Sequence, residues 1–364
     1  DFGASCKNLE AQQLRETVAA FACAQHMPAV LWQGGLAEEL SRAVLELADM
    51  HVVHVALLLA SLELRQPPKL LHEVAEQLRQ RAPLLPLTGL VGACVALSQL
   101  GPWPTALPGM AIVEELLKHL DELGPRELSA VVLAVSTLGL EAPVFWQAAH
   151  GALLAEAQNL TARHFANVLL ALATTQLYPI ALLEALQGHL PSVSPFMEPD
   201  EALTAAWALS ALRLFPPGEL LSLLRRACSP SEQAEGLQAN QLAQVSLSLE
   251  LEPLAAGVRS VLPAELLEQL QGCRQLAEDR GCDDSAAAQE FCGLLAEEGL
   301  EGELEKQAQD FYEVDVAFDA SSGAKMGLLL GSNGWDRPQD PWMVLKRRHL
   351  EFRGWSVRWL SAER

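Results

Sequence analysis

The stretch Ala-Leu-Ser-Gln-Leu at residues 96–100 decides the fold, because variants of it recur along most of the 364-residue chain. One clear variant is Ala-Val-Ser-Thr-Leu at 134–138. The corresponding stretches start at Ala20, Leu58, Ala96, Ala134, Ala171, Ala208 and Val245. Successive starts are 38, 38, 38, 37, 37 and 37 residues apart. So regular a period indicates a repeat architecture rather than one globular core.

Each repeat contains two apolar segments of helical spacing, separated by a short break with proline or glycine. In the fifth repeat, Phe165, Val168 and Leu172 fall at i, i+3 and i+7, which indicates one face of a helix. A second helix is predicted after Pro179, because proline fixes its own φ and disfavours helical geometry in the preceding residue. A single helix pair cannot cover its apolar face, so we expect a mostly α fold in which seven two-helix repeats stack as a right-handed α-solenoid.

Composition and charge limit the function of this array. Half of the residues are hydrophobic but only 5% are aromatic, which suits closely packed helices with leucine and alanine inside. The net charge is −21. Residues 311–364 hold eight basic and seven acidic residues, whereas residues 1–310 hold 17 basic and 39 acidic residues. Because phosphate binding favours a positive surface, the repeats are not typical of a general nucleic-acid binder.

Other classes of protein are disfavoured by the absence of their patterns. No apolar run reaches the roughly 18 residues of a membrane-spanning helix, so no membrane insertion is expected. The sequence starts at Asp1 without a basic amphipathic leader, so any targeting peptide is expected to have been removed or to lie outside it. The seven cysteines lack the paired spacing of zinc or thioredoxin motifs, which predicts buried free thiols in a reducing compartment. No metal site and no cofactor are predicted.

The change of pattern near the C-terminus predicts three domains. Residues 1–270 are expected to form the helical-repeat solenoid. Residues 271–310 are expected to form an acidic helical linker or capping segment, because glutamates dominate its end. Residues 311–364 are expected to form a separate small domain. The glutamates lie at Glu297, Glu298, Glu301, Glu303 and Glu305.

The last domain shows a β-α-β pattern. Apolar and polar side chains alternate over 312–319, as in a half-buried strand. A loop dense in turn formers follows at 331–338. A basic helix is predicted at 342–352, ending at Gly354, and a second strand at 355–360.

Three segments of this tail resemble the RAP domain: Glu-Val-Asp at 313–315, Val-Leu-Lys-Arg-Arg-His-Leu at 344–350 and Gly-Trp-x-Val at 354–357. RAP domains typically follow repeats of 37 or 38 residues, called heptatricopeptide or octotricopeptide repeats, which are similar to the helical regions of FAST kinase-domain proteins. The resemblance implies a small α/β fold like that of restriction endonucleases. It also implies an RNA-binding protein acting in RNA processing, stability, translation or ribosome assembly in mitochondria, or alternatively in plastids.

Two positions of each repeat, seven and four residues before its start, share one helix face. Modular helical-repeat readers contact a base edge with two or three side chains per repeat, and Asn, Gln, His and Glu suit that chemistry. These positions also fit the solvent-facing side of the first helix, which is the favoured interpretation, and both stay open. The candidate RNA-binding residues of the repeats are His51, His54, His164, Asn167, Gln238 and Gln241.

Arginines and tryptophans alternate in the tail, a composition that fits two interpretations. They could bind a phosphate backbone and stack on unpaired bases. Alternatively, the tryptophans form the core and the basic residues solvate one face. The candidate RNA-binding residues of the tail are Lys346, Arg347, Arg348, Arg353, Trp355 and Arg358.

Two further functions remain open beside a non-enzymatic RNA-binding protein of organellar mRNA or rRNA. A structural subunit of a large organellar complex, such as the mitochondrial ribosome, would bind proteins with its acidic repeats and RNA only with its tail. A metal-dependent ribonuclease would use Asp315 and Asp319, but the Glu-x-Lys expected on a following strand is absent. No catalytic residues and no enzyme activity are therefore predicted.

Overall fold

The computed structural model of the chain describes residues 9–64, 67–101, 103, 105–228, 236–278, 286–297, 303–307, 311–319, 325–331 and 340–361. The described part is mostly helical and carries one small sheet near the C-terminus, as predicted. The chain divides into two compact units, Asp1–Leu160 and Thr161–Arg364.

The first unit consists of helices joined by short turns. The helices are α1 (Ala11–Cys23), α2 (Ala29–Leu31), α3 (Ala37–Ala43), α4 (Asp49–Ser61), α5 (Pro68–Arg81), α6 (Leu87–Leu100), α7 (Leu107–Leu117), α8 (Pro125–Leu138) and α9 (Pro143–Glu156). A π turn at Trp32–Leu36 joins α2 to α3, and 3₁₀ turns lie at Ala82–Leu84, Leu120–Glu122 and Ala157–Asn159. The first helices of successive repeats pack side by side, α1 on α4, α4 on α6 and α6 on α8.

The second unit combines further repeats with the sheet. Its helices are α10 (Ala162–Thr175), α11 (Ile180–Val193), α12 (Pro199–Ala211), α13 (Pro217–Ala227), α14 (Gly236–Leu251), α15 (Ala256–Arg259), α16 (Ala264–Glu278), α17 (Ala286–Glu297) and α18 (Pro341–Phe352). Its 3₁₀ turns lie at Ser194–Phe196 and Pro253–Ala255. Its strands are β1 (Glu303–Gln307), β2 (Glu313–Asp319), β3 (Lys325–Gly331) and β4 (Trp355–Ser361). Helices α10, α12, α14 and α16 pack in that order.

The repeat period is carried into the helices. The first helices of the seven repeats begin at residues 11, 49, 87, 125, 162, 199 and 236, which reproduces the intervals of 38 and 37 residues. In the fifth repeat, Phe165, Val168 and Leu172 are at most 1% exposed. The predicted helix face is therefore confirmed, and the second helix follows Pro179 as expected. In the seventh repeat the second helix is reduced to the single turn α15.

The sheet has the order β1-β2-β3-β4, with two antiparallel pairs followed by the parallel pair β3 and β4. Helix α18 connects the parallel strands, so the predicted β-α-β unit exists but begins at β3 rather than at 312–319. Strand β3 has a mostly apolar sequence without alternation, as is usual for a parallel strand covered on both faces. At Gly327 an added Cβ would lie 2.7 Å from Val314 Cγ1, so the neighbouring strand requires glycine there.

Strand β1 corrects the expected linker, because Glu303–Gln307 belongs to the sheet. The predicted boundaries at 270 and 310 also fall inside the second compact unit. The reason is a shared hydrophobic core, in which Leu247 of α14 packs with Tyr312, Leu350 and Trp355 of the tail. Helix α17 contacts β1 and β2, and its Cys292 packs with Val316 and Leu328 in a separate cluster. Within the described residues, the tail is thus continuous with the last repeats.

Candidate nucleic-acid interface

The basic run of the tail helix α18 does not form one basic surface. Successive residues of an α-helix point about 100° apart, so the side chains diverge. Lys346 is half-buried, and Arg347 is exposed with its Nε 2.9 Å from Glu351 Oε1. Arg348 and His349 are only 6% and 1% exposed. The two buried residues face the repeats.

Arg348 holds the tail on the end of α12. Its Nη2 lies 2.7 Å from Glu252 Oε1 in an ion pair whose side chains are 7% and 2% exposed. Its guanidinium also donates to the backbone carbonyls of Ser210 and Ala211, the last residues of α12. Such carbonyls lack intrahelical partners and carry partial negative charge. Arg348 is therefore an internal contact, and its prediction as an RNA-binding residue does not fit this conformation.

Burial acts on both members of this ion pair. Desolvation lowers the pKa of Arg348 and raises the pKa of Glu252, and in each case the partner's charge opposes the shift. Arginine stays protonated in proteins. Removing Arg348 would consequently leave the buried Glu252 carboxylate with only the more distant and exposed Arg213, which is strongly destabilising.

His349 is held as a neutral ring between the repeats and the sheet. Its Nε2 lies 2.8 Å from Ser248 Oγ, and its Nδ1 lies 2.8 Å from the Tyr312 hydroxyl. Burial lowers its pKa to about 3, helped by the charges of Arg348, Arg274 and Arg353. A neutral imidazole has one donor and one acceptor nitrogen, and the two hydroxyl groups satisfy both.

The docking surface for α18 is the polar stripe of α14, which we define as Gln244, Ser248 and Glu252, the residue that directly follows the helix. These residues are four apart and so lie on one side of the helix. Trp207 Nε1 donates to Gln244 Oε1 at 2.7 Å, and Gln244 Nε2 donates to the Trp342 carbonyl at 3.0 Å. The polar stripe of α14 thereby joins α12, α14 and α18 through buried hydrogen bonds.

The depressed pKa of His349 predicts an acid-sensitive contact. Between pH 6.5 and about 3 the unfolded chain binds a proton that the folded chain does not, so stability is full above pH 6.5 and is lost on acidification. Relative to His349→Gln, the unfolding free energy should fall by about 1.4 kcal/mol per pH unit below about pH 6. Urea unfolding of both proteins from pH 7 to 5 measures this difference; parallel pH profiles would contradict it.

Five arginines surround Glu250 and Glu252 at the ends of α12 and α14. Arg353 Nη2 lies 3.0 Å from Glu250 Oε1 and Arg274 Nη1 lies 2.6 Å from Glu250 Oε2. The arginine cluster, as we call it, consists of Arg213, Arg259, Arg274, Arg348 and Arg353. Arg259 donates to the Glu250 carbonyl, and Arg213 Nε lies 3.9 Å from Glu252 Oε2.

This cluster concentrates positive charge in an acidic chain. Among the described residues, five guanidinium groups gather around Glu250 and Glu252. Arg213 and Arg259 are exposed, and Arg274 and Arg353 are half-buried. Of the cluster, the sequence pattern predicts only Arg348 and Arg353 as candidates. The other three come from separate elements, and no local pattern links them.

The two polar positions predicted in each repeat have a partly local explanation. The position seven residues before each repeat start is the third residue of each first helix. Gln13 and Glu201 accept from the backbone N–H groups of Glu10 and Glu198 at 3.0 Å, closing capping boxes. Helix capping thus accounts for the polar residue at this position in the first and sixth repeats.

The predicted residues of the repeats are placed as follows. His164 Nδ1 lies 3.1 Å from Thr161 Oγ1, and Gln238 Nε2 donates to Asp200 Oδ1 at 2.8 Å. In the first unit, the rings of His51 and His54 lie 6.3 Å apart, with His54 exposed and His51 half-buried. Asn167 and Gln241 are half-buried.

Of the remaining RNA-binding candidates in the tail, Trp355 lies in the core and Arg358 lies on the surface. Trp355 is 6% exposed and belongs to the shared core, so its predicted stacking on RNA does not fit this conformation. Lys325 Nζ lies 5.6 Å from its ring centroid. Arg358 is exposed on β4. The predicted loop at 331–338 lies outside the described residues apart from Gly331.

The described residues contain free thiols but no cluster of metal ligands. There, no group of three or more His, Cys, Asp or Glu side chains is placed to hold a metal ion. The nuclease hypothesis uses Asp315 and Asp319, and the side chain of Asp319 lies outside the described residues. Five described cysteines are free thiols, of which Cys94 is buried, with a pKa raised by burial to about 12, while Cys23 is exposed. The expectation of buried thiols thus holds only in part.

Across the described residues, every helix is too short or too polar to cross a bilayer. Comparison of the sequence with models of protein families and with characterised proteins finds no match.

Proposed function

We propose that this chain is a non-enzymatic RNA-binding protein that combines a right-handed α-solenoid of seven repeats with a C-terminal RAP domain. The arginine cluster is the observation that carries the proposal. Its exposed guanidinium groups offer planar, forked donors that suit phosphate oxygens. The resemblance of the tail to RAP domains is the basis for proposing a mitochondrial location, with the plastid as the alternative, and roles in organellar mRNA or rRNA metabolism.

The surroundings of the cluster favour single-stranded RNA as the ligand. Binding of single strands combines a positive groove with aromatic or apolar surfaces for unpaired bases. Phe352, 45% exposed, directly precedes Arg353. The buried contacts of Arg348 and His349 fix α18 on α14, so the arginines are positioned before any ligand arrives. Such preorganisation reduces the entropy lost on binding.

Removing charges from the cluster tests the proposal. We expect the double variant Arg259→Gln/Arg274→Gln to bind a fluorescein-labelled single-stranded 20-mer RNA about tenfold more weakly near 0.1 M salt. The slope of log K against log salt should become shallower by about 1.4, because each phosphate contact on a single strand contributes about 0.7. Anisotropy titrations at several salt concentrations measure both quantities.

The matched control is Arg163→Gln/Arg225→Gln, which removes two exposed arginines of the same unit from outside the cluster. This control should keep the parent salt slope. Equal weakening in both double variants would show that charge acts without regard to location and would contradict the proposed site.

A structural subunit of an organellar complex, such as the mitochondrial ribosome, is a second candidate that a separate observation favours. In the first unit, α2, α7 and α9 each carry a strongly exposed apolar side chain near their start: Val30, Leu107 and Val144 are 82%, 65% and 64% exposed. Exposed apolar residues on an acidic array suit protein partners. Sedimentation in organelle extract with a large particle that persists after ribonuclease treatment would favour this candidate.

A further inference from the structure

A groove of about 410 Å³ lies beside the arginine cluster, where α12 turns into α13. Its walls include Arg213 and Phe215 from the connection, Gln187 of α11, Glu219 of α13, and Leu254 after α14. The groove thus has a cation, an aromatic ring and an apolar residue in its walls, together with an amide and a carboxylate. The groove is shallow and open to solvent, so a strand bound there could continue beyond it on either side.

Arg213 supplies a cation that is incompletely neutralised. Its backbone is left-handed, with φ at 59°, in the residue that follows the C-cap of α12. Its side chain is 54% exposed. The nearby Glu252 carboxylate lies 2.7 Å from Arg348 but 3.9 Å from Arg213, so the closer arginine takes most of its charge. Arg213 is therefore available to an anionic ligand.

The rest of the groove suits the flat, polar-edged shape of a nucleobase. Phe215 offers a ring for stacking, and Leu254, 66% exposed, offers an apolar surface beside it. A glutamate carboxylate accepts hydrogen bonds from an exocyclic amino group, as it does from cytosine N4. Uracil lacks such a group and would place a carbonyl oxygen against the carboxylate.

We propose that this groove binds one unpaired nucleotide, with its phosphate on Arg213, its base against Phe215 and its amino group on Glu219. The inference rests on the proposed RNA-binding function and deepens it, because it assigns a base preference. Cytosine, adenine and guanine carry an exocyclic amino group and are accepted. Uracil is disfavoured.

Binding of the full chain to oligo(C) and oligo(U) 12-mers tests this preference. We expect oligo(C) to bind about tenfold more tightly, which corresponds to one good side-chain contact to a base edge. Glu219→Leu should reduce the preference to twofold or less. The control Glu265→Leu, at an exposed glutamate of α16, should leave it unchanged. Arg213→Gln should weaken both oligonucleotides equally and leave their ratio intact.

The outcomes separate the groove from the wider proposal. One outcome is that the chain binds both oligonucleotides with equal affinity, that Glu219→Leu has no effect, and that Arg259→Gln/Arg274→Gln weakens binding. This outcome would overturn the groove inference and leave RNA binding by the cluster intact. Failure of the parent chain to bind either oligonucleotide would overturn both. Displacement of oligo(C) by polyglutamate with the same dependence on Arg213 and Glu219 would make the groove an acidic-peptide site and also overturn the inference.

Discussion

Replacing Arg348 with glutamine is expected to lower the free energy of unfolding by about 3–5 kcal/mol, the usual loss when a buried ion pair is broken from one side. The substitution leaves Glu252, 2% exposed, without its nearest counter-charge, and removes the guanidinium donor from the Ser210 and Ala211 carbonyls. Urea unfolding followed by tryptophan fluorescence measures the loss.

The neighbouring Arg347→Gln is the matched control. Arg347 lies on the same helix but forms its ion pair with Glu351 at the surface, where side chains are 58% and 45% exposed. Exposed pairs contribute about 0–1 kcal/mol. Similar losses for the two variants would contradict the structural role assigned to Arg348.

A second comparison distinguishes the ion pair from a general intolerance of change at this position. The double variant Arg348→Met/Glu252→Leu removes both charges together. It should recover a large part of the lost stability, because a buried ion pair can be replaced by apolar side chains of similar volume at little cost. A double variant as unstable as the sum of its single variants would show that the pair is not the source of the effect.

Replacing Leu247 with alanine is expected to destabilise the second unit by about 2–5 kcal/mol, the range for truncating a buried leucine. Leu247 is 0% exposed and packs in one cluster with Tyr312, Trp355 and Val357 of the tail. The resulting cavity would therefore weaken the tail although the substituted residue belongs to a repeat. The matched control Leu254→Ala, at a leucine that is 66% exposed, should change stability by less than about 0.5 kcal/mol.

The probe for Leu247→Ala should report on the tail itself. Amide hydrogen exchange in β3 and β4 is expected to speed up together with that in α14, since one core supports all three. Exchange that accelerates in α14 alone would show that the tail folds independently, and would contradict the shared core.

Local periodicity explains which parts of the fold could be predicted. Apolar spacing and proline breaks predict the helices of the repeats. The basic run that ends at Gly354 predicts α18, and the segment after Gly354 predicts β4. Each of these signals lies within a few residues of the element. Strand β3 could not be recognised because an apolar run without alternation does not separate strand from helix. Strand β1 is short and charged, and only its pairing with β2 marks it as a strand.

The candidate site was harder to predict because it is built from distant segments. Arg348 contacts residues 96 to 138 positions earlier, and no single-sequence pattern links such pairs. A signal did exist in the polar stripe of α14, where Gln244, Ser248 and Glu252 interrupt an apolar helix at intervals of four. The capping boxes at Glu10 and Glu198 were also readable, since the polar residue three positions later is their usual partner.

Photo-crosslinking of the full chain to single-stranded RNA with 4-thiouridine and 6-thioguanosine tests the central claim most directly, because it locates the contact. The account predicts crosslinked peptides from the arginine cluster and its groove, within residues 213–219, 250–274 and 346–353. Those crosslinks should diminish in Arg259→Gln/Arg274→Gln. Crosslinks confined to the first unit, or to the first-helix positions of His164, Asn167, Gln238 and Gln241, would contradict it.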